Sequence, residues 1–250
     1  TIADTIGGAA AGNYYLTQPT GISADITPKT LTITGAAAAN KVYDATTNAV
    51  ISGVLSGVIS ADISNVTLIS AGNFSQTNIG NSLPVTSAYA IGGTASGNYV
   101  LTQPTGLTAN ITAKTLSISG AAIANKTYDG TNAATYSAGT LIGLVGSDSA
   151  NLTLTQVATF SQANAGNNLV VTAANTISGS AASNYTLIQP TGLTASITPA
   201  PLGISVSATY NGTTTVTPSS FDVTGLVNNE TITSITSAIV NSAAVASNGS

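Results

Sequence analysis

The sequence predicts an all-β chain of tandem β-sandwich modules, each about 85 residues long. Three observations carry that prediction. Several motifs return at one spacing, apolar residues alternate with Thr along short runs, and the composition favours β-branched and small residues, with 25 Gly for turns.

The repeat comes first. Gly12-Asn13-Tyr14 returns as Gly97-Asn98-Tyr99 and as Ser183-Asn184-Tyr185, placing the three Asn residues 85 and 86 positions apart. Gln18-Pro19-Thr20-Gly21 returns as Gln103-Pro104-Thr105-Gly106 and Gln189-Pro190-Thr191-Gly192. A second set keeps step: Lys41-Val42-Tyr43-Asp44, then Lys126-Thr127-Tyr128-Asp129-Gly130, then a degenerate Ala208-Thr209-Tyr210-Asn211-Gly212. A coil of a solenoid repeats every 20–50 residues or so. A period near 85 instead suits a module large enough to close its own core.

Strands follow from alternation. Leu31 and Ile33 lie between Thr30, Thr32 and Thr34, and Leu107, Ala109 and Ile111 repeat the pattern. Turn signals interrupt these runs at Asn78-Ile79-Gly80-Asn81 and Asn164-Ala165-Gly166-Asn167. The Ala36–Ala39 run is too short to nucleate a helix alone and is read as strand or loop. Joints are expected at Ile26-Thr27-Pro28, Ile111-Thr112-Ala113 and Ile197-Thr198-Pro199, since Pro cannot donate to a ladder.

These joints divide the chain into residues 1–28 (the end of a preceding module), complete modules 29–113 and 114–199, and 200–250 (the start of a diverged module). Short joints predict a stiff array rather than beads on a string. Thr1-Ile2-Ala3 aligns with Thr86-Ser87-Ala88, and Asn248-Gly249-Ser250 falls near the turn at 164–167. The expectation is a window on a longer array. The alternative is a subunit whose residues 1–27 complete the last module of a neighbour by β-strand addition.

At Lys126-Thr127-Tyr128-Asp129-Gly130-Thr131, with Gly97-Asn98-Tyr99-Val100-Leu101-Thr102-Gln103-Pro104 and Ile197-Thr198-Pro199-Ala200-Pro201-Leu202, the chain resembles the YDG-type repeats of large bacterial surface proteins of the filamentous haemagglutinin and adhesin kind. The resemblance implies Ig-like β-sandwich modules in tandem, exported to the cell surface as stalk or adhesive repeats, with no catalytic residues. The first copy departs from the signature, with Ala45 where the second has Gly130. Either the turn there does not require a positive φ, or Ala45 is strained.

The repeat-signature residues Lys41, Tyr43, Asp44, Lys126, Tyr128, Asp129, Gly130, Tyr14, Tyr99 and Tyr185 are read as structural. Lys41 and Tyr43, two apart, share a strand face. They could contact a ligand as a pair. The adopted reading is an edge strand guarded by Lys, with the Tyr ring packed and its hydroxyl in water. Tyr14, Tyr99 and Tyr185 are expected to anchor a strand near a module's end, similar to the hydrogen-bonded Tyr of Ig sandwiches.

Asp44 and Asp129 recur, as do Asp62, Asp148 and Glu230 at a second repeat position. A Ca²⁺ site needs roughly six to eight oxygens, so one or two acids per module are expected to cap turns instead. A Lys–Asn isopeptide bond would need a buried Lys beside an acid, and Lys126 with Asp129 or Asp148 is the one set that suits it. An ordinary exposed Lys is the expectation. Many Asn-x-Ser/Thr triplets, such as Asn65-Val66-Thr67, arise from composition alone, and glycosylation there requires a source that has the machinery.

Composition excludes much. Only 5 % of residues are charged, against about 25 % ordinarily. The chain lacks Cys, His, Met and Trp. Without His or Cys there is no soft metal site and no Ser–His or Cys–His nucleophile pair, so no catalytic, cofactor or metal residue is assigned and no enzyme activity is expected. Four Lys at a net charge of −4 give no basic footprint for nucleic acid or anionic lipid. No apolar run reaches the roughly 18 residues of a membrane span.

The expected function is therefore a non-enzymatic structural or adhesive repeat region of a secreted bacterial surface protein, forming a stiff extracellular stalk. Its expected partners are neighbouring modules of the same chain, identical chains in a filament, and a host or surface glycan or protein receptor. A head-to-tail filament subunit and a carbohydrate-binding adhesive module are the alternatives. Low aromatic content argues against the last.

Overall fold

A computed structural model describes residues 4–240. The readings at Thr1-Ile2-Ala3 and at Asn248-Gly249-Ser250 lie outside the described residues. The chain is all-β, in several small sheets. Among the described residues no helix is long and apolar enough to cross a membrane. Two compact units emerge among the described residues: residues 4–40, 47–76 and 82–110 form one, and residues 41–46, 77–81 and 111–240 the other.

The first sequence copy supplies β1 (Lys29–Ala38), β2 (Lys41–Val42), β3 (Asn48–Ala49), β4 (Ile51–Ser56), β5 (Thr67–Ile69), β6 (Gly72–Phe74), β7 (Gly80–Ser87), β8 (Ala90–Gly92), β9 (Tyr99–Leu101) and β10 (Thr108–Thr112). The second supplies their counterparts: β11 (Lys114–Ile123), β12 (Lys126–Thr127), β13 (Ala133–Ala134), β14 (Tyr136–Ile142), β15 (Thr153–Thr155), β16 (Ala158–Phe160), β17 (Gly166–Ala173), β18 (Thr176–Ser178), β19 (Tyr185–Ile188) and β20 (Thr194–Thr198).

Both copies use one topology. Strand orders β4-β1-β9, β2-β10-β7-β6-β3 and β5-β8 in the first match β14-β11-β19, β12-β20-β17-β16-β13 and β15-β18 in the second. Short strands change sheet after a brief break. β3 and β4 are separated by Val50 alone, yet join different sheets.

The Ala36–Ala39 run is mostly strand, because β1 continues to Ala38. It does so through a register shift between Thr34 and Ala37, with Gly35 at φ 62°. Gly120, φ 64°, sits at the equivalent shift between Ser119 and Ala122. A residue in the left-handed region lets one strand carry an extra position and bend. At the joint, β10 ends at Thr112 and β11 begins at Lys114, leaving only Ala113 between them.

The alternation read from sequence is the burial pattern. Leu31 is fully buried between exposed Thr30 and Thr32, and Ala109 and Ile111 are buried in β10. In the second copy Phe160, Val171, Ala195 and Ile197 of the five-stranded sheet form a core with Leu193, against which Ala121, Ile123 and Tyr136 of the three-stranded sheet pack. Burying one such large side chain stabilises by about 1.5–3 kcal/mol. In the first copy Leu31, Val66 and Tyr99 cluster with Leu55 and Ile91.

The Gln of each Gln-Pro-Thr-Gly motif has a specific task. Gln103 Oε1 accepts from Tyr89 N (2.9 Å) while its Nε2 donates to Tyr89 O (2.6 Å). Gln189 does the same to Asn175, at 2.9 and 2.8 Å, and Gln18 to Asp4, at 2.8 Å for both bonds. The side-chain amide thus imitates a strand partner for a backbone segment 14 positions earlier. This satisfies a donor and an acceptor together.

The diverged third copy contributes β21 (Gly203–Ala208), β22 (Thr215–Val216), β23 (Pro218–Thr224) and β24 (Ala238–Ile239). Here β21 pairs with β23, and β22 with β24. Among the described residues β21 has no neighbour on the edge where β11 holds β19.

Candidate functional site

The signature loop is built by its own side chains. Asp44 Oδ1 accepts from Thr46 N (2.9 Å) and Thr46 Oγ1 (2.8 Å), closing a turn around Ala45. Lys41 folds over that turn, its Nζ donating to Asp44 Oδ1 (2.7 Å) and to Thr46 O (2.6 Å). The second copy repeats this with Lys126, Asp129 and Thr131, and Lys126 Nζ also lies 5.7 Å from the centre of the Phe160 ring. In the third copy Asn211 Oδ1 accepts from Thr213 N and Oγ1, with Ala208 at the Lys position.

Ala45 has φ 62°, where Gly130 has 73° and Gly212 has 77°. The turn therefore requires the left-handed region, and Ala45 carries the strain. Burial raises the pKa of Asp44, but its bonds from Lys41 and Thr46 outweigh that and hold it below the ordinary value. Asp129 is lowered to about 2 by Lys126, with Thr131 assisting.

This geometry corrects the expectation for Lys41 and Tyr43. Lys41 is not a strand-edge guard reaching into water, because it clamps its own turn. Tyr43, just past the two-residue β2, is positioned by the backbone: its N–H donates to Thr112 O at 2.9 Å, next to the parallel pairing of Lys41 with Ile111. Its hydroxyl is not wet either. It donates to Asp148 Oδ2 at 2.9 Å, and the whole side chain is buried.

Asp148 ends the 3-10 turn Gly146–Asp148, and its Oδ2 also accepts from the Tyr185 hydroxyl at 2.6 Å. That hydroxyl in turn accepts from Val145 N at 3.1 Å. The rings of Tyr43 and Tyr185 meet edge to face, centroids 5.4 Å apart at 80°. Beside them Asn184 is buried, its Oδ1 accepting from Ile79 N (3.0 Å) and its Nδ2 donating to Asn78 Oδ1 (3.0 Å). All these residues belong to the second compact unit, which thus combines residues of both sequence copies.

Burial beside a carboxylate disfavours the phenolate. Tyr43 is raised above its ordinary value by burial and then by Asp148, and Tyr185 is pushed up to about 12 for the same two reasons.

The pattern recurs with different completeness. In the first copy the Tyr99 hydroxyl donates to Asp62 Oδ2 (2.7 Å) and accepts from Ile59 N (3.2 Å). Tyr99 is raised by burial and by Asp62. Asp62 is only half-buried and Asn98 is exposed, unlike Asp148 and Asn184. In the third copy Tyr128 donates to Glu230, which raises it, with burial adding. Tyr14 is 72 % exposed where Tyr185 is 6 % exposed.

Asp44 and Asp129 therefore cap turns as their spacing implied. Asp62, Asp148 and Glu230 instead receive Tyr hydroxyls. The set weighed for an isopeptide bond is divided: Lys126 is held by Asp129 and Thr131, and Asp148 by the two Tyr residues. Sequence reasoning missed Asn184 and its partners Asn78 and Ile79. Their joint recurrence with the Asn-Tyr motif was the available signal.

Among known protein families, the one described as the YDG domain matches twice, over residues 27–106 and 112–193. No curated protein matches the chain, and neither does any solved structure.

Proposed function

The chain belongs to the YDG domain family, with two copies in tandem, and from that premise we propose that it is a non-enzymatic repeat region of a secreted bacterial surface protein of the filamentous haemagglutinin or adhesin kind. It acts as a stiff extracellular stalk. The modules are read as Ig-like β-sandwiches, a reading supported by the core that packs residues of a three-stranded sheet against a five-stranded one.

One observation carries the functional reading. The signature Tyr43 of one copy hydrogen-bonds the Asp148 of the next, and Tyr128 does the same to Glu230. The most distinctive side chains of the repeat are thus spent on linking successive copies. The Lys and Asp residues are spent on the turn that presents the Tyr. Such use of scarce charged groups fits a load-carrying array.

The test is antibody labelling of cells producing the parent protein. Labelling of intact cells supports the reading, and labelling only after permeabilisation overturns it.

A further inference from the structure

Two phenol hydroxyls end on one oxygen. Tyr43 and Tyr185 donate to Asp148 Oδ2 at 2.9 and 2.6 Å. The ring edges that carry the hydroxyls therefore converge on one atom, and with them the ortho carbons beside each hydroxyl. The rings are already in contact, centroids 5.4 Å apart and planes at 80°. All three side chains are buried, with Tyr43 at 4 %, Tyr185 at 6 % and Asp148 at 7 % exposure.

The other tyrosines are placed differently. Tyr99 donates to Asp62 and Tyr128 to Glu230, and among the described residues neither acid receives a second phenol. Tyr89 donates to a neutral acceptor, Ser52 O, at 2.6 Å. One phenol suffices to hold such a turn, as Tyr99 holds Ser60–Asp62 by bonding both Asp62 and Ile59 N. The second phenol on Asp148 gives that turn a chemistry the first copy lacks.

A phenol gives up an electron far more easily when a base takes its proton at the same time, and a carboxylate within about 2.6–3.2 Å is placed to be that base. Both Tyr43 and Tyr185 meet this condition at the same oxygen. Burial keeps a phenoxyl radical from solutes that would quench it. Contact holds the second ring where the first can react with it.

We propose that Tyr43 and Tyr185 form an oxidative cross-linking site, in which a one-electron oxidant joins the two rings through their ortho carbons and Asp148 accepts the protons. Each phenol gives one electron to the oxidant and its hydroxyl proton to Asp148, which releases the first proton to water before it takes the second. The two phenoxyl radicals pair their electrons in one carbon–carbon bond. Each ortho hydrogen then leaves as a proton while a proton returns to the adjacent oxygen, restoring both aromatic rings and both hydroxyls. Two C–H bonds are lost and one C–C bond is gained. Two equivalents of oxidant are each reduced by one electron, and two protons reach water. The bond joins residues of both sequence copies within one compact unit. It closes a long loop, and such a closure restricts the unfolded chain more as the loop lengthens. The reaction needs two rings and a carboxylate whatever compartment the chain occupies, so it holds or fails apart from the cell-surface reading.

The test illuminates the full chain, kept dilute, with tris(bipyridyl)ruthenium(II) and persulfate, which withdraw electrons without touching the rings. The expected product is a monomer lighter by two hydrogens, with dityrosine fluorescence, whose digest contains a cross-linked peptide pair carrying Tyr43 and Tyr185. In urea the site is gone and nine Tyr residues compete, so the yield of that pair should fall about tenfold or more. Asp148→Asn keeps both rings and removes the base, and the 43–185 coupling rate should fall about tenfold or more. Tyr99→Phe, outside the site, should leave it unchanged. Coupling in wild type should also slow in deuterium oxide, which tests the proton step without a substitution. A wild-type digest lacking the 43–185 pair, an equal yield in urea, or a rate indifferent both to Asp148→Asn and to deuterium oxide overturns the proposal.

Discussion

Tyr43 and Asp148 are 105 positions apart in the chain and share a 2.9 Å hydrogen bond inside one compact unit. Their link, with Tyr185 on the same carboxylate oxygen, joins residues of both sequence copies within that unit. The bond is buried, so its loss is not compensated by water.

Tyr43→Phe keeps the ring and removes the donor. Asp148 retains Tyr185, and the expected cost is about 1–2 kcal/mol, read as a lower urea midpoint. Asn184→Ala leaves the Ile79 N–H without its acceptor and should cost about 2 kcal/mol. The equivalent Asn98→Ala, at an exposed position, should fall within about 0.5 kcal/mol of wild type. Equal effects at 98 and 184 would mean that the Asn78–Ile79 contact contributes nothing.

Ala45 occupies a conformation that suits Gly. Ala45→Gly should therefore stabilise the first copy by roughly 1 kcal/mol, visible as a raised thermal midpoint.

Gly130→Ala should do the reverse, and more strongly. Besides the strain at φ 73°, the added Cβ would lie 2.0 Å from Asn228 Nδ2. Asn228 also has a positive φ, 52°, so the pair Gly130→Ala with Asn228→Gly is compared with Asn228→Gly alone, where the overlap is gone and the backbone strain remains. No difference between the two would show that φ at residue 130 costs nothing.

Alkaline titration should unfasten the Tyr network. Tyr185 moves from 10.0 to about 12 on folding. The folded state thus holds its proton more tightly, and the associated stability is complete below pH 10 and lost as pH rises from 10 to about 12. Denaturation midpoints across that window should fall in wild type and fall less in Tyr185→Phe.

Acid acts on the signature loop in the opposite sense. Asp129 moves from 3.8 to about 2, so its contribution is complete above pH 3.8 and lost as pH falls toward 2. Asp129→Asn should lack this part of the acid transition, measured by the same midpoints.

Much of the fold was legible because it repeats. Positions such as Leu31, Ala109 and Ile111 announced the strands through alternation, and Asp44 and Asp129 announced the turn through Asx chemistry. The partner of Tyr43 was not legible. The bond spans one period plus the offset between two motifs, and no local pattern encodes that distance. Lys41 misled for a related reason: sharing a face with Tyr43 presumes a continuing strand, and β2 ends after two residues. Ala45 could be left only as an alternative until its φ was known.

The pairing of Lys29 with Tyr99 has a kinetic consequence. The first and last thirds of a copy must find each other before its three-stranded sheet exists, which is slow, high-contact-order folding. Until Tyr99 is available, Lys29 has no strand beside it, so a copy's three-stranded sheet closes only once nearly its whole length is free to fold.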